Sequence, residues 1–90
     1  MVRLNLSFVG EIDLDGPEPL FQQVADVLRA RIAAGTYPVG RRIPSVRDIA
    51  DEFRVSQTTA EAAVRILRRE GLTRATRGRG TFVIAVPPTD

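Results

Sequence analysis

Residues 45–71 read SVRDIADEFRVSQTTAEAAVRILRREG, and the fold turns on this stretch. Ser45 with Asp48 three residues on marks a helix start, a variant of the capping box. Its hydroxyl takes a backbone N–H that has no partner inside the helix. Val46, Ile49, Ala50 and Phe53 recur at helical spacing and form the buried face of a short second helix. Arg54-Val55 is left as a tight turn. Ser56 then caps a third helix over about 57–70, with Ala60, Ala63, Val64 and Leu67 as its apolar face. Gly71 closes that helix and sets Leu72 against Leu67, the hydrophobic contact of a Schellman ending. Two short helices joined by a turn of about three to four residues, the second with a polar outer face, follow the helix-turn-helix plan.

Downstream, residues 72–76 and 81–86 are strand-like runs around Arg77-Gly78-Arg79-Gly80, which predicts a hairpin with a glycine-rich tip. Upstream, Leu20, Val24, Val27, Leu28 and Ile32 lie on one stripe of a first helix over about 19–34. Pro19 suits its first turn, where the missing N–H is no loss, and Gly35 suits its C′ position. Residues 37–40 read as a loop and residues 41–44 as a short extended piece. Nearer the N-terminus, Val2, Leu4, Leu6 and Phe8 alternate with Arg3, Asn5 and Ser7, a strand pattern that Gly10 breaks. Ile12 and Leu14 resume it weakly. Residues 1–16 are then either a hairpin arm or one strand with an extended lead, and residues 87–90 a frayed tail. The fold class is α+β: three helices and a C-terminal β-hairpin wing over residues 17–86, with an extra N-terminal β arm.

Ninety residues is one domain's worth of chain. With no cysteine and no histidine, the sequence excludes disulfides, thiol chemistry, the usual zinc sets and the commonest general base. Asp48, Asp51 and Glu52 are close in sequence, but on a short helix without His or Cys they read as surface charge, so neither an enzyme nor a cofactor is expected. No apolar run approaches the ~18 residues of a membrane span. Residues 1–10 do not read as a signal peptide, so a cytoplasmic protein is the expectation. All 13 basic residues are arginine. Residues 1–40 hold three of them against five acids, whereas residues 41–90 hold ten against six. The positive density therefore belongs to the C-terminal half and suggests an anionic partner there.

Double-stranded DNA fits that description. A helix fills the major groove, and its N-terminal side chains reach base edges. Opposite the apolar stripe of the third helix stand Thr58, Glu61, Ala62, Arg65 and Arg69, with Gln57 and Thr59 flanking in the first turn. Gln pairs with adenine, Glu accepts from the cytosine amino group, and Thr meets a thymine methyl or a phosphate. A bland reading stands beside this one: a solvated polar face, with Arg65, Arg68 and Arg69 countering the helix dipole. The hairpin shifts the balance, because Arg74, Arg77 and Arg79 stand on or beside its tip, where arginine suits a narrow minor groove or a phosphate row.

Residues 19–83 resemble the N-terminal DNA-binding domain of the GntR family of bacterial transcription regulators. The resemblance rests on PLFQQVA at 19–25, GTYPVG at 35–40, IPS at 43–45, VSQTT at 55–59, and Gly71-Leu72 through Gly78-Arg79-Gly80-Thr81-Phe82-Val83. It implies a winged helix with the third helix in the major groove and the wing in the minor groove. Arg47 matches the family's arginine at the start of the second helix, which commonly contacts guanine or nearby phosphates. Thr58 and Thr59 match its threonine pair, and Gly78 its wing glycine. Gln57 stands where the family often has arginine, and Glu61 where another basic residue is frequent. Val46 replaces a frequent glutamate. Arg54 replaces a frequent turn glycine, at a cost of order 1 kcal/mol if its φ is positive. The family normally carries a larger C-terminal domain that binds a metabolite and dimerises. Here the chain ends about seven residues after the wing, so no small-molecule effector site is expected.

The expected function is sequence-specific DNA binding by a transcription regulator, repressing by occlusion. Arg47, Gln57, Thr58 and Glu61 are the expected base readers. Ser45, Thr59, Arg65 and Arg79 are expected on phosphates, and Arg77, Gly78 and Arg79 at the minor groove. Alternatives are an architectural or recombination accessory protein that bends DNA, and a winged helix devoted to protein contacts, which Glu61 and the modest +2 charge favour. The arm is expected as an extra strand on the wing sheet, as a dimerisation arm pairing with its twin across a two-fold axis, or as a disordered segment.

Overall fold

The computed structural model describes the backbone of residues 8–9 and the whole of residues 11–88. The strand expected over residues 2–7, its break at Gly10 and the last two residues of the tail lie outside the described residues. The elements follow in the order β1 (Phe8–Val9), β2 (Ile12–Asp13), α1 (Leu20–Ala33), α2 (Val46–Phe53), α3 (Gln57–Arg69), β3 (Thr73–Thr76) and β4 (Gly80–Val83).

Helix ends are set by short-range chemistry. Ser45 Oγ accepts from the Asp48 N–H at 3.1 Å, and Ser56 Oγ accepts from the Thr59 N–H at 3.0 Å. Only that half of the Ser45/Asp48 capping box forms among the described residues. Pro19 sits one position before the helix, with a non-helical ψ of 141°, and its carbonyl accepts from the Gln22 and Gln23 N–H groups. Both long helices end in Schellman motifs. Thr36 N–H reaches the Arg31 carbonyl beyond α1, and Leu72 N–H reaches the Leu67 carbonyl beyond α3. At the end of α2 no glycine is present. Arg54 itself takes the left-handed conformation, φ 56° and ψ 45°, and turns the chain toward α3.

The apolar stripes meet in one core. Val24, Leu28 and Ile32 of α1, Ile49 and Phe53 of α2, and Ala60, Ala63 and Leu67 of α3 are buried. Leu72 and Val83 close it from the wing, and Ile43 from the loop before α2. The small residues on α3 let that helix pack closely against both others. Ile12 of β2 is also fully buried in this core.

The wing is an antiparallel hairpin with Thr73 opposite Val83 and Thr76 opposite Gly80. Arg42 adds a single bridge to Phe82, flanked by bonds from the Ile43 N–H to the Thr81 carbonyl and from the Val83 N–H to the Arg41 carbonyl. The expected extended piece at 41–44 is thus the third edge of the wing sheet. Two expectations need correction. β4 stops at Val83 instead of running to Val86. Its partner strand begins only at Thr73, because Leu72 is spent on the ending of α3. Beyond Val83 the Leu72 carbonyl accepts from both the Ile84 N–H at 2.9 Å and the Ala85 N–H at 3.4 Å, and no further ladder bond forms among the described residues. The second correction concerns the arm. Its described residues do not add a strand to the wing sheet. β1 and β2 pair with each other in a separate two-stranded sheet, Phe8 opposite Asp13 and Val9 opposite Ile12. This hairpin rests on α1. Gln23 clamps it, accepting from the Asp13 N–H at 2.7 Å and donating to the Asp13 carbonyl at 2.9 Å. A side-chain amide here fills the place of a neighbouring strand.

Candidate nucleic-acid interface

α3 presents a polar face that nothing covers among the described residues. Gln57, Thr58, Glu61, Arg65 and Arg69 are exposed, while Thr59 and Ala62 are half-buried. Thr59 Oγ1 accepts from the Ser56 hydroxyl at 2.9 Å, which leaves its own O–H free to donate outward. At the head of α2, Arg47 is exposed, and Ser45 keeps its hydroxyl proton while its oxygen caps the helix. An open groove of about 630 Å³ runs between these helices and the wing, lined among others by Arg42, Ser45, Asp48, Val64, Gly80 and Thr81. It brings Ser45 of the helix head beside the start of β4, next to the wing tip. Arg47, Gln57, Thr58, Glu61, Arg65, Arg77 and Arg79 lie outside its lining, on open surface.

The wing tip is built for projection. Arg79 N–H bonds back to the Thr76 carbonyl at 3.0 Å, and Gly78 takes φ 78° at the third position of that turn, the type II geometry that only glycine or asparagine accepts readily. Arg77 and Arg79 flank Gly78, both exposed.

Electrostatics divides the molecule in two. Arg29 donates to both carboxylate oxygens of Glu70 at 2.8 Å and to Asp26 at 2.8 Å. Arg31 donates to both oxygens of Glu52, to the Tyr37 hydroxyl at 2.7 Å and toward Glu11 at 3.5 Å, and lies over the Phe53 and Tyr37 rings. Hydrogen bonds to Glu70 and then Asp26 hold the Arg29 guanidinium above the usual arginine range. The bond to Glu52 does the same for Arg31 against partial burial. The ten arginines from Arg41 to Arg79 are all exposed, and among the described residues none has an ion-pair partner. α1 moreover neutralises Glu52 and Glu70, two acids of the C-terminal half. The net positive charge of the C-terminal half is therefore larger than the sequence balance suggests.

Three contributors escaped the reading of the sequence. Arg31 and Gln23 hold elements far apart in the chain, and no periodicity signals such a pairing. Arg42 did leave a signal. Its neighbour Ile43 points inward on an extended segment, so Arg42 faces the other way.

An amphipathic helix-turn-helix, a glycine-tipped basic wing and ten exposed arginines without ion-pair partners among the described residues define a winged-helix DNA-binding domain. Residues 20–83 match the family model described as bacterial regulatory proteins, gntR family. The chain belongs to the GntR family, and these residues are its helix-turn-helix DNA-binding domain. It is 38% identical over 77 residues to the Exu regulon transcriptional regulator of Escherichia coli K12, covering 86% of this chain and 30% of that protein. It is also 38% identical over 80 residues to an HTH-type transcriptional regulator of Mycobacterium tuberculosis, covering 88% of this chain and 65% of that one. The chain thus spans about a third to two thirds of the length of these relatives. Among solved structures it resembles the DNA-binding domain of AraR in complex with operator ORX1, at TM-score 0.73 and 30% identity, over 77% of this chain and 89% of that one. YtrA from Sulfolobus acidocaldarius, a GntR-family transcription factor, aligns at TM-score 0.76 and 29% identity over 88% of this chain and 83% of its own. No helix among the described residues is long and apolar enough to cross a membrane.

Proposed function

We propose that this chain binds a specific duplex DNA sequence and regulates transcription there, as a repressor that occludes its site. The observation that carries this reading is the set of ten exposed arginines from Arg41 to Arg79, on α2, α3, the wing and the segments flanking α2, that have no ion-pair partner among the described residues, beside an α1 whose arginines are neutralised. The likeness to a domain solved on its operator supports it. In this reading α3 enters the major groove. Arg47, Gln57, Thr58 and Glu61 address base edges, with Glu61 accepting from a cytosine amino group. Ser45, Thr59, Arg65 and Arg79 bond phosphates, and Arg77, Gly78 and Arg79 enter or border the minor groove. Two copies on an inverted repeat would follow from the two-fold symmetry usual for such regulators.

Paired substitutions test it. Gln57→Ala should cost about 1–3 kcal/mol on the preferred site and relax one base position. Arg65→Ala should weaken all sequences alike and reduce the salt slope by about 1. Equal losses for both variants on preferred and random DNA would refute the base-reading role of Gln57.

A further inference from the structure

Arg42 is tied to the wing in three ways. Its backbone forms the bridge to Phe82 in β4. Its Nη1 donates to the Arg79 carbonyl at the wing tip, 3.2 Å away. Its aliphatic stem lies flat on Gly80: a Cβ built there would stand 2.9 Å from Arg42 Cδ, so the backbone and the side chain touch because Gly80 has none. Gly80 also holds φ 115°. An arginine carries about five N–H donors. One is spent on the Arg79 carbonyl, and among the described residues no carboxylate pairs with the rest. The side chain is exposed and lines the groove that separates the wing from the head of α2.

That location has a consequence if the wing sits in the minor groove and α3 in the adjoining major groove. Between the two grooves runs a ridge of sugar and phosphate. A side chain at the seam between wing and helices faces that ridge, and the free end of a guanidinium matches phosphate oxygens. We infer that Arg42 has a double task. It braces the wing tip through the Arg79 carbonyl and the Gly80 contact, and it turns its remaining N–H groups to a backbone phosphate. It is a positioning residue for the wing and a phosphate ligand at once. The second task rests on the DNA-binding reading above; the first does not.

The test uses Arg42→Met, which keeps a flexible stem over Gly80 but drops the charge and the carbonyl bond, with Arg42→Gln as a second neutral variant and Arg42→Lys as the rescue. Affinity for a random-sequence duplex is measured by fluorescence anisotropy from 50 to 200 mM salt, on the order of the range where counterion release dominates. Amide hydrogen exchange at residues 77–80 is measured on the free protein. A phosphate contact contributes about −0.9 to the slope of log K against log salt, which is about eightfold in affinity at 0.1 M salt relative to 1 M. Arg42→Met and Arg42→Gln should flatten the slope by about 1, and Arg42→Lys should restore it. Arg42→Met, which has no donor, should also speed exchange of the Arg79 N–H, which now bonds to Thr76. Unchanged slope in either folded neutral variant overturns the phosphate contact, and unchanged exchange in Arg42→Met overturns the brace. If the unmutated chain binds no duplex at 50 mM salt, the DNA-binding reading fails and takes the phosphate contact with it.

Discussion

Replacing Arg54 by glycine should stabilise the domain, and the size of the effect follows from its backbone. Arg54 holds φ 56° and ψ 45°, the left-handed helical region, between α2 and α3. An L-residue there costs about 1–2 kcal/mol, because its Cβ crowds the following carbonyl. Glycine escapes that crowding but forfeits roughly 0.5–1 kcal/mol through the greater freedom of its unfolded chain. No side-chain contact offsets the gain, since Arg54 is exposed and has no hydrogen bond or ion pair among the described residues. The bonds that fix the turn run from the Arg54 and Val55 N–H groups to the Ala50 carbonyl, and both survive the substitution. The net gain lies between about 0 and 1.5 kcal/mol, centred near about 0.7 kcal/mol, or about 3–6 °C in Tm for a domain of this size at the centre of that range. Thermal unfolding followed by circular dichroism measures it, with urea unfolding as a check that the slope m stays constant. A lower Tm for Arg54→Gly at constant m would refute the reasoning, because it would mean that the arginine side chain stabilises the turn by more than its backbone strain.

Three further outcomes are expected. Glu61→Gln should weaken binding to a site with cytosine at the contacted position by about 1–3 kcal/mol while leaving random DNA unchanged or slightly tighter; equal tightening on both would assign Glu61 to repulsion alone. Thr73→Val should stabilise the fold by about 1 kcal/mol in urea unfolding, because the Thr73 hydroxyl is buried without a hydrogen-bond partner among the described residues, and a loss of stability would count against that account. Arg31→Met should destabilise by about 1–2 kcal/mol, since ring stacking and two partly exposed ion pairs are involved, and a double-mutant cycle with Glu52→Gln should return a coupling of about 0.5–1 kcal/mol; zero coupling would deny that this pair ties α1 to α2.

The contrast between what the sequence discloses and what it conceals follows the range of the forces involved. Ser45, Ser56, Gly35 and Gly71 mark helix ends to within a residue or so, because caps and Schellman endings are closed by neighbours in the chain. The stripe Ala60, Ala63, Val64 and Leu67 is buried as its spacing predicts, and the same geometry leaves Gln57, Thr58, Glu61 and Arg65 on the outer surface. The arm was far less legible. Its register depends on Gln23, about ten residues away, and on whether Ile12 finds room in the core, neither of which period-two alternation encodes. β4 was overextended for a similar reason: Ile84 and Val86 carry strand propensity, but the partner backbone has already turned into α3. In the interface, the arginines themselves were visible while their pairing was not. Only the folded chain separates Arg29 and Arg31, neutralised across α1, from the ten that face outward.

Selection of binders from a random duplex library with the purified chain is the most direct test of the central claim. A specific reader that uses Arg47, Gln57, Thr58 and Glu61 should enrich a defined motif, an inverted repeat if two copies bind together. Retention of DNA without any enriched motif, or no retention at low salt, would contradict the claim that this winged helix reads sequence.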